Sequence, residues 1–495
     1  MLKKLRVVLA CLFWAGITLL LLDWTGVLHR YLGWMAKIQF LPAVLALNVG
    51  VIALLVLLTL VAGRVYCSVI CPLGVFQDAV SHLGTRKAKA PYKYRKELKW
   101  LRYGVWVLFV AALVAGVQVA VSLLAPYSAY GRMVQNLLRP DRVQSIPTLV
   151  VALVTLVAVV ALSLKGGRTY CNSICPVGTT LGFLSRFAMF RPLIDGEKCK
   201  HCMACEHRCK AQCISISKDE QKIDYSRCVD CFNCLDSCKF GALKYQFAWK
   251  KTPGQAGRDG VMPGSDRASM TGTAIAGGDG VMPGTDRASS RRAFMTGTAI
   301  AVGSLAMKGL EARAQNLKKV DGGFAEILPK QPLEREIPIT PPGSASVRDF
   351  YRHCTACQLC VAQCPNHVLR PSSRPEHLMQ PEMGYENGFC RPECTRCSEL
   401  CPTGAIRKIS REEKTAYRIG TAHVNLEACL SATGRTHCGK CARQCPVGAI
   451  SMVEHEGHRA PVVAEEVCIG CGACEQYCPV RPISAIQVNG RYNHE

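Results

Sequence analysis

The residues of this chain best suited to chemistry are its cysteines. There are 30 in 495 residues, and most stand three apart. The first run is Cys199, Cys202, Cys205 and Cys209, and Cys228, Cys231, Cys234 and Cys238 repeat its spacing. Cys354, Cys357, Cys360 and Cys364 repeat it before Pro365, and Cys468, Cys471, Cys474 and Cys478 before Pro479. Two variants widen the first step: Cys390, Cys394, Cys397 and Cys401 before Pro402, and Cys429, Cys438, Cys441 and Cys445 before Pro446. Steps of three along a tight loop turn three thiolates toward one small inorganic core, the arrangement that holds a 4Fe–4S cubane. Six runs of four ligands predict six cubanes and a wire for electrons.

The fourth ligand of such a run serves the other cluster of a pair. Cys199, Cys202 and Cys205 are therefore expected to share a cluster with Cys238, and Cys228, Cys231 and Cys234 with Cys209. Structural zinc is the competing reading, but it usually joins two separated cysteine pairs. A disulfide framework belongs to small secreted domains. Neither accounts for four cysteines in about ten residues recurring along one chain.

Apolar segments must position these runs. Four stretches, about Val7–Leu28, Leu41–Ala62, Leu101–Leu124 and Pro147–Leu164, each approach the roughly 20 residues that cross hydrocarbon. They are apolar all round, unlike the one-sided core helices of a soluble domain. Lys3, Lys4 and Arg6 precede the first stretch. Arg86, Lys87, Lys89, Lys93, Arg95, Lys96 and Lys99 separate the second from the third, and Arg186, Arg191 and Lys198 follow the fourth. The other two loops are less basic, with Arg30, Arg132, Arg139 and Arg142. The bias puts the amino terminus and the first cluster unit in the cytoplasm of a bacterial inner-membrane protein. It also explains part of the net charge of +24, and no recognition motif supports a nucleic-acid partner.

The apolar region contains a repeat. Gly63-Arg64-Val65-Tyr66-Cys67-Ser68-Val69-Ile70-Cys71-Pro72-Leu73-Gly74 matches Gly167-Arg168-Thr169-Tyr170-Cys171-Asn172-Ser173-Ile174-Cys175-Pro176-Val177-Gly178. Cysteines four apart share a helix face. Cys67, Cys71, Cys171 and Cys175 are thus candidates for a redox-active metal site, with copper, zinc and iron–sulfur all compatible with soft thiolates. Two structural thiol pairs, or a helix-stop turn shaped by Pro72 and Pro176, are the plainer alternatives.

Ser290-Arg291-Arg292-Ala293-Phe294-Met295 has the form of a twin-arginine export signal. A mild apolar stretch to Met307 and a small-x-small Ala312-Arg313-Ala314 follow it. Clusters are assembled in the cytoplasm, so a domain carrying them must cross already folded. Ahead of the signal, Asp259–Ser269 is nearly duplicated as Asp279–Ser289 in a Gly-rich linker. The expected division is a four-span membrane domain (1–198), a two-cluster unit (199–248), the linker (249–289), the export segment (290–320) and a four-cluster domain (321–495). The fold class is thus multi-domain: a four-helix transmembrane domain plus α+β ferredoxin-like 4Fe–4S domains.

With these motifs the part up to about Phe247 resembles NapH-type membrane ferredoxins, and the part from Ser290 onward resembles the twin-arginine-exported NapG and MauM ferredoxins. The resemblance implies a NapH–NapG fusion. It implies a quinol dehydrogenase component that passes electrons from the quinol pool to a periplasmic reductase, nitrate reductase in the type case, or a cytochrome c-type partner. It also suggests pairing the outer cysteine runs with each other and the two variant runs with each other, so that Cys354, Cys357 and Cys360 share a cluster with Cys478. Local pairing of successive runs is the alternative. Lys210 and Lys239 stand where ferredoxins often carry proline, and Cys11 and Cys213 read as structural thiols.

No Cys-x-x-Cys-His, dinucleotide fingerprint or P-loop is present. The chain reads as an intermediate, without a terminal-reductase site of its own. The expected route across the bilayer has a gap, since the Cys67/Cys171 group falls at the cytoplasmic end. A bound quinone or a partner haem protein would close it. His29, near the outer end of the first span, reads as a surface histidine rather than a quinol contact. The alternative function class is a CcoG-like or NosR-like metal-handling or maturation factor that reduces copper or activates a partner reductase.

Overall fold

The computed structural model describes residues 2–23, 27–85, 92–138, 146–217, 221–248, 319–320 and 326–494. The duplicated linker and the twin-arginine motif lie outside them, as do Arg86, Lys87, Lys89, Arg139 and Arg142.

Helix α1 (Leu2–Leu22) runs unbroken because its interior holds no proline and a single glycine, Gly16. After α2 (Leu28–Lys37), the second expected span divides into α3 (Phe40–Leu45) and α4 (Val49–Ala62). Asn48 makes the break, since its side chain accepts from Val51 N at 3.2 Å and caps α4. A π-helical turn (Tyr66–Ile70) and α5 (Pro72–Thr85) follow. The third expected span also divides: α6 (Lys99–Ala115) ends at Gly116, whose φ of +76° stops the helix, and α7 (Gln118–Leu124) starts afresh. Pro126 opens α8 (Pro126–Leu138), which is buried almost throughout. Helix α9 (Ile146–Gly166) is continuous. Among the described residues, Leu2–Leu22 and Pro147–Gly166 are the two helices long and apolar enough to cross a membrane. By length alone, the 14-residue α4 reaches about 21 Å, short of about 30 Å of hydrocarbon.

The repeated motif folds alike in both copies. In the second copy α10 (Thr169–Ser173) replaces the π-turn and α11 (Pro176–Ser185) follows. Cys71 N donates to Tyr66 O and Cys175 N to Tyr170 O, each at 3.0 Å. A proline at the first helical position lacks only an N–H that has no partner there. The copies are swapped in space, with α5 packed on α9 and α11 packed on α4.

Strands β1 (Phe190–Ile194) and β4 (Leu243–Phe247) pair antiparallel, Phe190 opposite Phe247, and frame the first two cysteine runs. Between them lie α12 (Ala204–Arg208), the hairpin of β2 (Ile214–Ile216) and β3 (Gln221–Ile223), and α13 (Asn233–Ser237). In the carboxyl-terminal unit Gly420–Val424 pairs antiparallel with Ile486–Gly490. A second hairpin joins Ile450–His455 to His458–Val463. Buried Phe350, Tyr385, Ile339 and Val488 contribute to this unit's core. Glu475 fastens it: one carboxylate oxygen takes Arg335 at 2.7 Å, the other Val488 N at 2.8 Å.

The two cysteine-rich units contact opposite ends of α1. Lys3 pairs with Asp236 of α13 at 2.9 Å, whereas Leu20 O accepts from Gln363 of the carboxyl-terminal unit at 2.9 Å. Seventeen helical steps separate Lys3 from Leu20, about 25 Å along the axis.

Candidate iron–sulfur centres

The run loops have a shared backbone signature. The residues flanking the middle cysteine adopt positive φ: His201 and Met203, Asp230 and Phe232, Ala356 and Gln358, Gly470 and Gly472. Most are not glycine, for which this region is uncommon. Alternation of left- and right-handed residues turns successive N–H groups into one concavity, a nest suited to an anion such as a thiolate-bound cluster. The fifth run keeps half of the signature, at Gly439 (φ +58°), whereas the corresponding Thr395 of the fourth run has φ −114°.

Five clefts of similar size, about 290 to 390 Å³, are lined by cysteine quartets. Cys199, Cys202, Cys205 and Cys238 line one, and Cys209, Cys228, Cys231 and Cys234 a second. Both match the crossed ligation expected from spacing. Cys213 joins the second cleft, 3.5 Å from Cys209 Sγ. In the carboxyl-terminal unit, Cys390, Cys394 and Cys397 meet Cys364. Cys429, Cys438 and Cys441 meet Cys478, while Cys468, Cys471 and Cys474 meet Cys445. Cys401 is the electrostatic neighbour of Cys354, Cys357 and Cys360, completing a sixth group.

This grouping corrects the pairing implied by resemblance to four-cluster subunits. Cys478 belongs with the Cys429 run, and Cys354, Cys357 and Cys360 take Cys401 instead. The reason is local packing: the short helix within each run lies against that of its couple. Leu359–Gln363 packs on Arg396–Leu400, and Lys440–Arg443 on Ala473–Tyr477, as α12 packs on α13.

Among the described residues no three His, Cys, Asp or Glu side chains stand close enough to bind a single ion. Burial pushes the Cys441 thiol up to about 11, and also Cys390, to about 11 against the opposing Lys414 ammonium. Such thiols stay protonated at neutral pH, so metal binding must release protons.

Cys67, Cys71, Cys171 and Cys175 are all buried and are mutual electrostatic neighbours. Arg64 and Arg168, absent from the expected site, flank them with zero exposure. Their signal was available, since they occupy the same place in both motif copies. Lys414 was also missed. It is buried, donates to the carbonyls of Arg391 and Cys394, and rides on a helix opened by the Ser410/Glu413 capping box. His29 Nε2 lies 3.5 Å from Glu399 of the carboxyl-terminal unit, and Cys11 is exposed, outside every group.

Comparison with known proteins agrees with this chemistry. A model described as "4Fe-4S binding domain" matches residues 44–91 and 148–194, which hold Cys67, Cys71, Cys171 and Cys175. A "4Fe-4S dicluster domain" model matches residues 435–481, which hold every cysteine of the last crossed pair except Cys429. An uncharacterized protein of Methanocaldococcus jannaschii is 29% identical over 203 residues, 40% of this chain and 70% of that protein. The ferredoxin-type protein NapH of Escherichia coli is 27% identical over 218 residues, 42% of this chain and 70% of its own. The methylamine utilization ferredoxin-type protein MauM of Methylobacillus flagellatus is 31% identical over 111 residues, 22% of this chain and 47% of its own. No solved structure matches. The chain carries 4Fe–4S ferredoxin domains, and its likeness to NapH-type and MauM-type ferredoxins supports an iron–sulfur electron-transfer protein.

Proposed function

We propose that this chain is a membrane-bound electron carrier of the inner membrane with six 4Fe–4S clusters, held by the six cysteine quartets. The gathering of all 24 run cysteines into complete crossed groups of four carries this reading. Cubanes supply one-electron donors and acceptors that need no proton. The protein's own residues hold them, screen them from water and set their spacing.

The apolar helices form a four-span membrane domain in this reading, α3–α4 and α6–α7 each crossing as a broken pair. The two-cluster unit is cytoplasmic and the four-cluster domain, exported through the twin-arginine route, is periplasmic. Contact of the two units with opposite ends of α1 supports that topology. Likeness to NapH supports a quinol dehydrogenase role, delivering electrons from quinol to a periplasmic reductase or a cytochrome c-type partner.

The test is anaerobic purification of the full chain from membranes. About 24 irons per chain and reduced-cluster EPR signals are expected from the ferredoxin-type quartets. A quinol analogue added to membranes is expected to bleach the cluster absorbance. Zinc in place of iron would end the reading, and no bleaching would remove the quinol role.

A further inference from the structure

The fifth cysteine run is set apart by its long first step, from Cys429 to Cys438. The residues between fold into a closed turn. Thr433 N donates to Cys429 O at 3.0 Å, Thr436 N donates to Leu430 O at 3.1 Å, and Gly434 bends the chain at φ +68°. Thr433, Gly434, Arg435, Thr436 and His437 are all exposed on it. A cluster needs no such turn, because the Cys199, Cys228, Cys354 and Cys468 runs take their first step in three residues.

The turn belongs to a basic collar. Arg435, Lys440, Arg443 and Arg481 stand exposed on the loops that supply Cys429, Cys438, Cys441 and Cys478. Two are pinned beside the ligands: Arg443 Nη2 donates to Cys438 O at 2.7 Å and Arg481 Nη1 donates to Cys478 O at 2.8 Å. Lys440 lines the cleft itself. The ion pairs within the carboxyl-terminal unit use Arg335, His353 and Arg370, and none of the four collar cations joins one among the described residues. Glu427 is the one carboxylate between Leu426 and Pro446. Glu454, Glu456 and Arg459 of the adjoining hairpin still leave the surface positive. Solvated charges of this kind contribute little to a fold, so the collar is free to meet a partner.

The collar also lies at one end of the cluster succession. The Cys354 quartet faces the helical region: Gln358 accepts from Asn136 at 3.3 Å, and a Cβ on Gly131 would fall 2.5 Å from Cys357 O. Cys390 N donates to Cys471 O at 2.9 Å and so joins the first couple of quartets to the second. The Cys429 quartet is the far member of that second couple. Cys429, Cys438 and Cys441 are half-buried, whereas Cys354, Cys357, Cys360, Cys468, Cys471 and Cys474 are buried. The Cys390 run is half-buried too, but its exposed Arg391 and Glu393 cancel.

We propose that the Cys429, Cys438, Cys441 and Cys478 quartet is the electron exit, and that Arg435, Lys440, Arg443 and Arg481 form the docking surface for an acidic redox protein. The proposal rests on the electron-carrier reading and adds the surface and the charge of its partner. Carboxylates around the partner's redox centre would be steered to the collar and released again as salt-sensitive contacts. Transient redox contacts are small, below about 1,200 Å², so a few cations around one cluster are enough to guide them. Each transfer takes one electron from the cluster and gives one to the partner's centre, with no bond or proton changing place.

The test uses the full chain, purified anaerobically in detergent, reduced with dithionite and freed of the excess. Two soluble one-electron oxidants of opposite charge, acidic plastocyanin and basic mitochondrial cytochrome c, are mixed with it in a stopped-flow cell. The plastocyanin rate is expected to fall at least about tenfold between about 0.01 M and 1 M ionic strength, as the Debye length shrinks from about 30 Å to about 3 Å, while the cytochrome c rate does not fall. Arg435→Glu/Lys440→Glu leaves the Arg443 and Arg481 contacts in place. It is expected to keep its iron and EPR signals, to slow plastocyanin at least about fivefold at low salt and to speed cytochrome c. Arg407→Glu/Lys408→Glu, exposed elsewhere on the same unit, makes the same change in net charge and is expected to alter either rate by less than about twofold. Should the collar reversal cost iron, Arg435→Gln/Lys440→Gln replaces it, with an expected slowing of about twofold or more. An unchanged plastocyanin rate in the collar variant, or an equal loss in the Arg407/Lys408 pair, would overturn the proposal. If the purified chain carries no iron, the parent reading fails instead.

Discussion

Asp78→Asn is the sharpest test of how the helical region is held together. The Asp78 carboxylate receives Arg168 Nε at 2.8 Å and Lys210 Nζ at 3.5 Å, and it pairs with Arg6. It thereby joins α1, both repeat copies and the first cysteine-rich unit. Burial pushes the carboxyl up, but Arg168, Lys210 and Arg6 outweigh that and hold it well below the usual carboxylate range. Asparagine keeps the shape and removes the charge, leaving three cations without this partner. Breaking a buried pair in this way costs about 3–5 kcal/mol. For a cooperative unit of about 150–250 residues each kcal/mol moves Tm by about 2–4 °C, so a fall of about 6–20 °C is expected. The assay is anaerobic thermal unfolding of the detergent-solubilised chain, followed by loss of cluster absorbance. The pH dependence has a definite sign. The folded pKa lies below the unfolded value of about 3.9, so the wild-type advantage is complete above that value and is lost as pH falls through the folded one. The asparagine variant lacks that part of the acid slope. A Tm within about 2 °C of wild type would refute the reasoning.

Three further outcomes follow from the same geometry. Cys401→Ser is expected to remove about four irons from the Cys354 quartet and Cys478→Ser about four from the Cys429 quartet. If both variants erase the same EPR signal, the local crossing is wrong. Gly131→Leu drives a side chain into Cys357 O, 2.5 Å from the Cβ position, and should weaken docking of the carboxyl-terminal unit by about 1–3 kcal/mol. Faster hydrogen exchange across 354–363 would register it, and unchanged exchange would contradict it. Gly472→Ala combines a φ of +78° with a Cβ 2.2 Å from the Tyr385 ring. Reduced iron at the Cys468 quartet and a lower Tm are expected, and a wild-type iron content and Tm would count against the cradle described.

The cysteine quartets were legible because ligand spacing is a local property: three thiols within seven residues need no tertiary information. The partner of each fourth cysteine was legible in the first unit, where only two runs compete. Among the four later runs the choice depends on which short helices pack, and spacing does not encode that. Apolar composition marked four long stretches, yet two of them, divided at Asn48 and Gly116 through a cap and a positive φ that hydropathy averages away, do not form single helices long enough to cross a membrane. The repeat was visible, but the swap of α5 and α11 between copies was not, since it arises from long-range packing. Arg64 and Arg168 could have been singled out, because a cation repeated beside buried cysteines is costly without an anion nearby.

The exchange of fourth cysteines also dictates an order of manufacture. The quartet begun by Cys354, Cys357 and Cys360 stays one sulfur short until Cys401 has left the ribosome, whereas the partner that uses Cys364 is complete once Cys397 has emerged. The quartet that begins first in each such couple is therefore the one completed last. A chain truncated between Cys397 and Cys401 would therefore emerge with one vacancy, and the cell would meet it as an oxygen-sensitive half-product rather than as a smaller working carrier.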